Sequence, residues 1–151
     1  MPPYSVIFPC RNCAPWLDRC LESVFAAASP DARIVAVDDG STDATGAMLK
    51  ARRGIVSVFQ EHRGVSAARN SGLDAAAGRF VFFVDPDDEV EKDFFEAMCE
   101  KMASVDYCIC AMRNIDDATG EESIDALKGD WHFDGNGHIL EKYLPRIFGY
   151  S

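Results

Sequence analysis

The sequence contains no long apolar run and comparatively few basic residues. No apolar segment approaches the roughly 20 residues that a membrane-spanning helix requires, so no transmembrane segment is expected. The opening MPPYSVIFPC has no basic residue before its short apolar segment, so a signal peptide is not expected either. Fifteen Lys and Arg stand against 25 Asp and Glu, which gives a formal net charge of −10. This balance argues against a protein that binds the nucleic-acid backbone through a basic surface.

Cysteine is present but not in the dense spacing of a disulfide framework. The six cysteines are Cys10, Cys13, Cys20, Cys99, Cys108 and Cys110. Without an export signal, we expect reduced and mostly buried thiols. The expected location is the cytoplasm, either free or peripheral to the inner face of the membrane.

The apolar pattern predicts alternating strands and helices. Strands are predicted over residues 4–8, 33–37, 55–59, 79–84 and 106–112, where short apolar runs end at turn or acidic residues. Helices are predicted after Pro15, through Met48 and Leu49, over residues 64–76 and over residues 91–103. In the third helix the predicted inward face is Val65, Ala68, Gly72, Leu73 and Ala76. This alternation is typical of an α/β protein with a mostly parallel sheet covered by helices on both faces.

The pattern weakens after residue 113. Residues 114–130 are acidic and contain a Thr119-Gly120 turn, which predicts a loop or hairpin. Residues 139–148 carry an apolar helical stripe, which Pro145 should kink or end. We therefore predict a core over residues 1–113 and a partial C-terminal extension of the same domain over residues 114–151.

Polar clusters follow three of the predicted strands. They are Pro9-Cys10-Arg11-Asn12, Asp38-Asp39-Gly40-Ser41 and Asp85-Pro86-Asp87-Asp88. Because the carboxyl ends of parallel strands meet at one edge of a sheet, these clusters should lie together, and ligands of such sheets bind beyond that edge. The sequence therefore predicts a binding site there.

The aspartates of this edge suggest a cation. A single Asp at a strand end is usually a turn residue, but five from two strand ends on the same edge repel one another unless a positive charge lies among them. Asp85 and Asp87 are spaced so that both could approach one Mg²⁺ or Mn²⁺, which would hold a diphosphate. Asp39 could accept a hydrogen bond from a base or ribose. Arg69 could reach a base or phosphate, or simply form a surface salt bridge.

Three segments in this order resemble the donor-binding half of glycosyltransferase family 2, the inverting enzymes with a GT-A fold. They are SVIFPCRNCAPWLDRCLESV, IVAVDDGSTDATG and GVSAARNSGLDAAAGRFVFFVDPDDEV, and the resemblance covers residues 4–113. It implies a Rossmann-like, three-layer α/β/α nucleotide-diphospho-sugar transferase fold. The implied reaction transfers a sugar with inversion from a nucleoside diphosphate sugar, typically UDP-linked, to a hydroxyl of a saccharide or lipid-linked glycan, as in cell-envelope polysaccharide biosynthesis.

The resemblance also implies roles for individual residues. The donor nucleotide would contact Pro9, Arg11, Asn12, Asp38, Asp39, Asp43, Arg69 and Asp85. The Mn²⁺ or Mg²⁺ ion would bind Asp85 and Asp87, with Asp88 as a third candidate ligand. Three positions depart from the family pattern: Arg11 replaces an aromatic residue that stacks on the base, His62 replaces Asn, and Pro86 replaces Ser inside the D-x-D motif.

Family members usually continue well beyond the fifth strand, and their catalytic carboxylate base lies in that later region. We assign none of the acidic residues after Asn114 as the base. The expectation is therefore a truncated chain or gene fragment that retains donor binding.

Other functions are compatible with parts of the sequence. A non-catalytic module that binds nucleotide sugars without transferring them is the main alternative. Cys10-Arg11-Asn12-Cys13, between a strand and a helix, also has the setting of a thioredoxin-like redox motif, which thiol titration would reveal as one abnormally acidic thiol. A zinc site at the same pair would need further Cys or His ligands at a suitable spacing, which the sequence does not offer.

Overall fold

The computed structural model describes residues 3–103, 108, 110–116 and 118–125. The chain divides into two compact units, residues 1–108 and 109–151. The elements of the first unit are β1 (Tyr4–Cys10), α1 (Ala14–Ala27), β2 (Arg33–Asp39), α2 (Thr45–Ala51), β3 (Ile55–Gln60), α3 (Val65–Ala75), β4 (Phe80–Phe83) and α4 (Phe94–Met102).

Four parallel strands form the sheet of this unit, in the order β3-β2-β1-β4. The chain builds β1, β2 and β3 outward in one direction and then crosses back to place β4 on the other side of β1. The order therefore reverses between β1 and β4, which is the switch point where open α/β sheets bind ligands. The predicted α/β class and mostly parallel sheet are confirmed.

The alternation of side chains along β1 separates two hydrophobic layers. Val6 and Phe8 belong to a buried cluster that contains Leu21 of α1 and Phe95 of α4. Ile7, between them, points to the opposite face and belongs to a second cluster with residues of α3. Because successive side chains of a strand alternate in direction, one strand supplies the core of both faces. The result is three layers, α/β/α.

Helix α3 lies close to the sheet because its inner face is made of small residues. Ala68 is fully buried, and a Cβ atom added at Gly72 would overlap the side chain of Ile7. The predicted inward positions of Val65 and Leu73 are wrong, since these side chains are 50% and 44% exposed. A helix that approaches this closely touches the sheet through a narrow stripe, which leaves larger side chains at the margin in solvent.

Strand β1 continues through Pro9 to Cys10, two residues further than predicted. On the β2 side, pairing extends to Cys10 opposite Asp38. On the β4 side, it ends where the Val84 N–H donates to the Ile7 carbonyl, at 3.1 Å. Alternate residues of a strand direct their backbone groups to the same side, so Pro9 faces the β4 side like Ile7. Its missing N–H therefore falls where the ladder has already ended.

The described part of the second unit is a hairpin of β5 (Met112–Ile115) and β6 (Glu122–Asp125), paired antiparallel. The sequence predicted a loop or hairpin over residues 114–130, and the described residues of that range belong to this hairpin. Its turn is closed by Asp116, whose Oδ1 accepts hydrogen bonds from the N–H groups of Ala118 and Thr119 at 2.9 and 2.8 Å.

The predicted fifth strand over residues 106–112 is wrong where it is described. Cys108, Cys110 and Ala111 are not in a strand, and Met112 begins the hairpin instead. The tight turn at Asp116 favours local pairing of this segment over addition to the parallel sheet. The rest of that segment and the predicted helix over residues 139–148 lie outside the described residues. Among the helices that are described, none has the length and apolar character needed to cross a membrane.

Candidate functional site

The loops that follow β1 and β2, residues 10–14 and 38–45, are joined by hydrogen bonds; they are called the paired loops below. Asn12 lies at their centre. Its N–H donates to Ser41 Oγ at 3.0 Å, and its Oδ1 accepts from the N–H of Thr42 at 2.8 Å. Asn12 also has a positive φ of +49°, the one such value at a non-glycine position within the described residues, and Asn tolerates this conformation better than most residues. Its side chain and backbone together set the path of both loops.

The beginning of α1 is also held by the second of the paired loops. Cys13 N–H donates to Thr45 Oγ1 at 2.9 Å, and Ala14 N–H donates to Asp43 Oδ2 at 3.2 Å. The first N–H groups of a helix have no partner within the helix, so residues distant in sequence supply the cap here. Hydrogen bonds from Thr45 and Ala14 lower the pKa of Asp43 below its ordinary value. Asp43 is thus a structural acceptor of the paired loops.

Asp38 and Asp39, adjacent at the end of β2, lie on opposite faces of the sheet. Asp38 shares the face of α1 and α2: its Oδ1 accepts from Ser41 N–H at 2.9 Å, and a Cβ atom added at Gly46 would lie 2.6 Å from its Oδ2. Asp39 shares the face of α3. The two aspartates therefore cannot act as one pair of ligands, because the strand directs neighbouring side chains apart.

Asp39 is the centre of a hydrogen-bond network with the loop between β3 and α3. Its Oδ1 accepts from Gln60 Nε2 at 2.6 Å and Arg63 N–H at 2.8 Å. Its Oδ2 lies 2.7 Å from His62 Nδ1 and accepts from Gly64 N–H at 2.8 Å. A carboxylate offers about four acceptor positions, so this one is saturated. A ligand that contacts Asp39 would first have to displace a partner, and the His62 side chain, which is 52% exposed, is a candidate.

The charge state of Asp39 follows from this network. Burial by itself would raise the pKa of the carboxyl, but the hydrogen bonds from Gln60, Arg63 and Gly64, together with the charge of Arg11, lower it below its ordinary value. Sequence reasoning missed these partners of Asp39. The available signal was Gln60, a polar residue that ends β3 at the same edge of the sheet.

The third cluster is a tight turn after β4, residues 85–88, called the acidic turn below. Asp88 N–H donates to the Asp85 carbonyl at 3.0 Å, which brings three carboxylates together. Partial burial first, and then the charges of Asp87 and Asp85, raise the pKa of Asp88. Within the described residues, no group of three or more His, Cys, Asp or Glu side chains could hold a metal ion by itself.

Arg69 of α3 is the counter-charge of the acidic turn. Its Nη2 donates to Asp85 Oδ1 at 2.9 Å, and its guanidinium lies 5.9 Å from the centre of the Phe83 ring. Its Nε is buried and has no hydrogen-bond partner. Arg69 and Asp85, which were predicted as site residues independently of each other, therefore form an ion pair although they are 16 positions apart in the chain. Phe83, the last residue of β4, was not predicted as a site residue.

Three cysteine thiols lie beneath the site. Cys20 of α1 donates to the Asp85 carbonyl at 3.6 Å, and burial, with the nearby charge of Asp88, raises its pKa to about 12. The Cys10 thiol donates to the Phe8 carbonyl at 3.6 Å, and Thr45 Oγ1 donates to the Cys13 sulfur at 3.8 Å. The proximity of the two thiols raises the pKa of Cys10 and lowers that of Cys13. One acidic thiol is what a redox pair needs. However, Cys10 is 0% and Cys13 3% exposed, so neither sulfur is accessible to a substrate disulfide.

The remaining predicted site residues lie at the edge formed by the carboxyl ends of the strands or just below it. Pro9 is buried in β1, opposite Val37. Arg11 is exposed and forms no hydrogen bond with any described residue, although its charge acts on Asp39. Asp87 is exposed next to Asp85. All the predicted site residues lie at the end of β1 or β2 or follow β1, β2 or β4, apart from Arg69, which α3 brings to the same edge.

Comparison with known proteins adds relatives of named function. The family model described as "Glycosyl transferase family 2" matches residues 5–148. Glycosyltransferase GlyA of Streptococcus pneumoniae is 40% identical over 150 residues, which are 95% of this chain and 20% of that protein. A protein of Bacillus subtilis named uncharacterized glycosyltransferase EpsJ is 34% identical over 105 residues, 67% of this chain and 30% of the relative.

Among solved structures, Staphylococcus aureus TarS 1–349 matches with a TM-score of 0.60 and 30% identity, over 66% of this chain and 32% of TarS 1–349. The same protein has been solved with UDP, matching with a TM-score of 0.60, and with UDP-GlcNAc, matching with 0.55. The chain thus spans about a fifth of GlyA and about a third of TarS 1–349.

Proposed function

The chain belongs to glycosyl transferase family 2, and from this premise we propose that it binds a nucleoside diphosphate sugar, UDP-linked, and transfers the sugar to an acceptor hydroxyl with inversion. The observation that carries the proposal is the meeting of Arg69 and Asp85 beside the paired loops, at the switch point between β1 and β4. A cation and an anion at this edge suit a ligand that carries both a nucleoside and a diphosphate.

The two ends of the nucleotide would use different parts of the edge. Strand β1 lies between β2 and β4, so the ends of β2 and β4 are separated by two interstrand spacings, about 10 Å. The base would lie near Pro9, Arg11, Asn12 and Asp39, and the ribose and diphosphate would extend toward Asp85. Asp38 and Asp43 would support the base end by holding the paired loops. TarS 1–349, which matches this fold, has been solved in complex with UDP, and this supports a nucleotide ligand.

The acidic turn has the chemistry that a divalent cation requires. Its donors are hard carboxylate oxygens, the preferred ligands of Mg²⁺ and Mn²⁺. Partial burial, and then the charges of Asp87 and Asp85, raise the pKa of Asp88, so a cation beside these carboxylates would favour their charged forms. Asp85 and Asp87, with Asp88 as a third candidate, would hold the ion, and diphosphate oxygens would complete its ligands. When bound, the ion stabilises negative charge on the leaving diphosphate.

In the proposed reaction the acceptor oxygen forms a bond to the anomeric carbon while the bond from that carbon to the diphosphate oxygen breaks. The leaving nucleoside diphosphate keeps the electron pair, and the acceptor proton passes to a carboxylate base. One displacement from the opposite side inverts the anomeric configuration. The described residues of this chain bind and orient the donor, and we assign none of them as the base. The acceptor, a saccharide or lipid-linked glycan of the cell envelope, rests on the family alone.

We place the reaction in the cytoplasm. All six cysteines are free thiols, and free thiols persist in a reducing compartment. This placement includes association with the inner face of the membrane.

Calorimetric titration of UDP, with and without Mn²⁺, tests the proposal. Wild type should bind UDP more tightly with Mn²⁺, and Asp87→Asn should weaken the Mn²⁺-dependent binding by at least about tenfold. Asp74→Asn is the matched control, because it removes the same charge from an exposed position of α3 and should change nothing.

The outcomes separate the functions. If UDP fails to bind wild type even with Mn²⁺, the donor site is not functional and the proposal is wrong. If UDP binds but incubation with UDP-sugars yields neither transfer nor hydrolysis, the chain is the non-catalytic binding module.

A further inference from the structure

Arg69 is held in an arrangement that satisfies only part of its guanidinium. Nη2 is paired with Asp85, and the Phe83 ring lies against the group. Nε is buried without an acceptor. A buried donor without a partner is unfavourable, so this arrangement persists because Asp85 and Phe83 hold it. An anionic oxygen of a ligand would supply an acceptor to the guanidinium of Arg69, which would favour a change of its hydrogen-bond partner.

Asp85, by contrast, has two positively charged candidate partners, Arg69 and a divalent cation. The same carboxylate that pairs with Arg69 is the first ligand of the D-x-D motif. A guanidinium and a divalent cation on one carboxylate repel each other at close range, so the two are alternative partners unless an additional anion lies between them. The diphosphate of the donor is such an anion. Arg69 should therefore oppose the binding of a cation alone and favour the binding of a diphosphate.

We propose that Arg69 is a positioning residue that exchanges partners during donor binding. Before binding, it holds the Asp85 carboxylate at the switch point and screens it from Asp87 and Asp88. When the cation arrives with the diphosphate, Asp85 passes to the cation and Arg69 passes to the diphosphate. This inference rests on the proposed function and assigns to the ion pair a role in the order of assembly of the site.

The test uses two titrations of the full chain, Mn²⁺ alone and UDP in saturating Mn²⁺, on wild type and Arg69→Ala. Loss of the competitor should tighten Mn²⁺ binding roughly 3- to 10-fold, the range of a half-exposed ion pair. Loss of the anion-binding group should weaken UDP binding at least about tenfold. A residue that only supports the fold would weaken both, so the opposite signs identify the exchange.

Arg19→Ala is the matched control. Arg19 Nε lies 2.8 Å from Glu89 Oε1, next to the same acidic turn, and the pair is exposed at 53% and 51%. The substitution removes the same charge without touching Asp85. Because solvent screens that pair, both dissociation constants should change by less than about twofold.

Three results would overturn the proposal: Mn²⁺ affinity that is unchanged or lower in Arg69→Ala, an equal increase in Arg19→Ala, or no Mn²⁺ binding by either wild type or Arg69→Ala. Failure of the donor site itself appears elsewhere, as absence of UDP binding by wild type in Mn²⁺. If circular dichroism shows Arg69→Ala to be unfolded, Arg69→Lys carries the test. It keeps the charge but not the planar pair of donors, so UDP binding should weaken while Mn²⁺ binding stays within about twofold of wild type.

Discussion

Asp39 and Asp88 lie at the same edge of one sheet, yet their surroundings act on them in opposite directions. Four donors surround Asp39, and three of them, Gln60, Arg63 and Gly64, hold its pKa below the ordinary value despite burial. Asp88 has carboxylates as neighbours, and partial burial with the charges of Asp87 and Asp85 raises its pKa. The comparison teaches that the chain completes the Asp39 end of the site by itself. At the acidic turn it supplies one guanidinium for three carboxylates, which leaves the remaining charge to a ligand.

The largest effect on the free energy of unfolding is expected from Asp39→Ala, which removes the fully hydrogen-bonded carboxylate of this comparison. The substitution leaves the N–H groups of Arg63 and Gly64 without their acceptor and removes the contact to Gln60. Several lost hydrogen bonds in a buried position should lower the free energy of unfolding by about 2–4 kcal/mol. Urea unfolding followed by circular dichroism measures the change, with exposed Asp31→Ala as the control. A loss below about 1 kcal/mol would mean that the loop between β3 and α3 holds itself without Asp39.

A smaller effect is expected at Asn12, where side-chain contacts and backbone conformation can be separated. Asn12→Gly removes the acceptor of the Thr42 N–H but tolerates the φ of +49°, whereas Asn12→Ala also places an unfavourable residue there. Urea unfolding should show a loss of about 1 kcal/mol for glycine and about 2 kcal/mol for alanine. Equal losses for the two variants would show that the backbone at Asn12 is not strained and that only the hydrogen bonds matter.

The smallest effect, with the opposite sign, is expected from Asp88→Asn. A carboxyl whose pKa is raised by folding binds its proton more tightly in the folded state, so it lowers stability as pH rises through the unfolded and then the folded pKa. Removing the charge should therefore stabilise the protein at pH 7, by less than about 1 kcal/mol because Asp88 is only partly buried and solvent still screens it. Below the unfolded pKa of about 3.9 both states are protonated and the difference should vanish. Chemical unfolding of both proteins at pH 7 and pH 3 checks this, and a benefit that persists at pH 3 would exclude a charge effect.

Much of the fold could be predicted because its signals are local. Short apolar runs, polar strand ends and helical spacing are properties of neighbouring residues, and all four strands of the parallel sheet were located from them. Strand ends were less well predicted. Pro9 should have ended β1, and only the position of β4 makes its missing N–H harmless. The prediction of a fifth strand was wrong for a related reason. Whether Met112 joins a sheet or a hairpin depends on which partner strand is available to it.

The candidate site divides in the same way. That Asp38, Asp39, Asp85 and Arg11 gather at one edge follows from the sequence, because parallel strands end together. That Asp38 and Asp39 lie on opposite faces was not predicted, because the predicted strand ended at residue 37, whereas β2 continues to Asp39 and its side chains alternate.

The partners of those residues were decided by tertiary structure. Asp39 is saturated by a loop more than 20 positions away, and Arg69 meets Asp85 because the small residues Ala68 and Gly72 let α3 lie close to β1. A sequence specifies which groups can donate and accept and on which edge they lie. Which donor reaches which carboxylate depends on distances between elements, and only packing determines those distances.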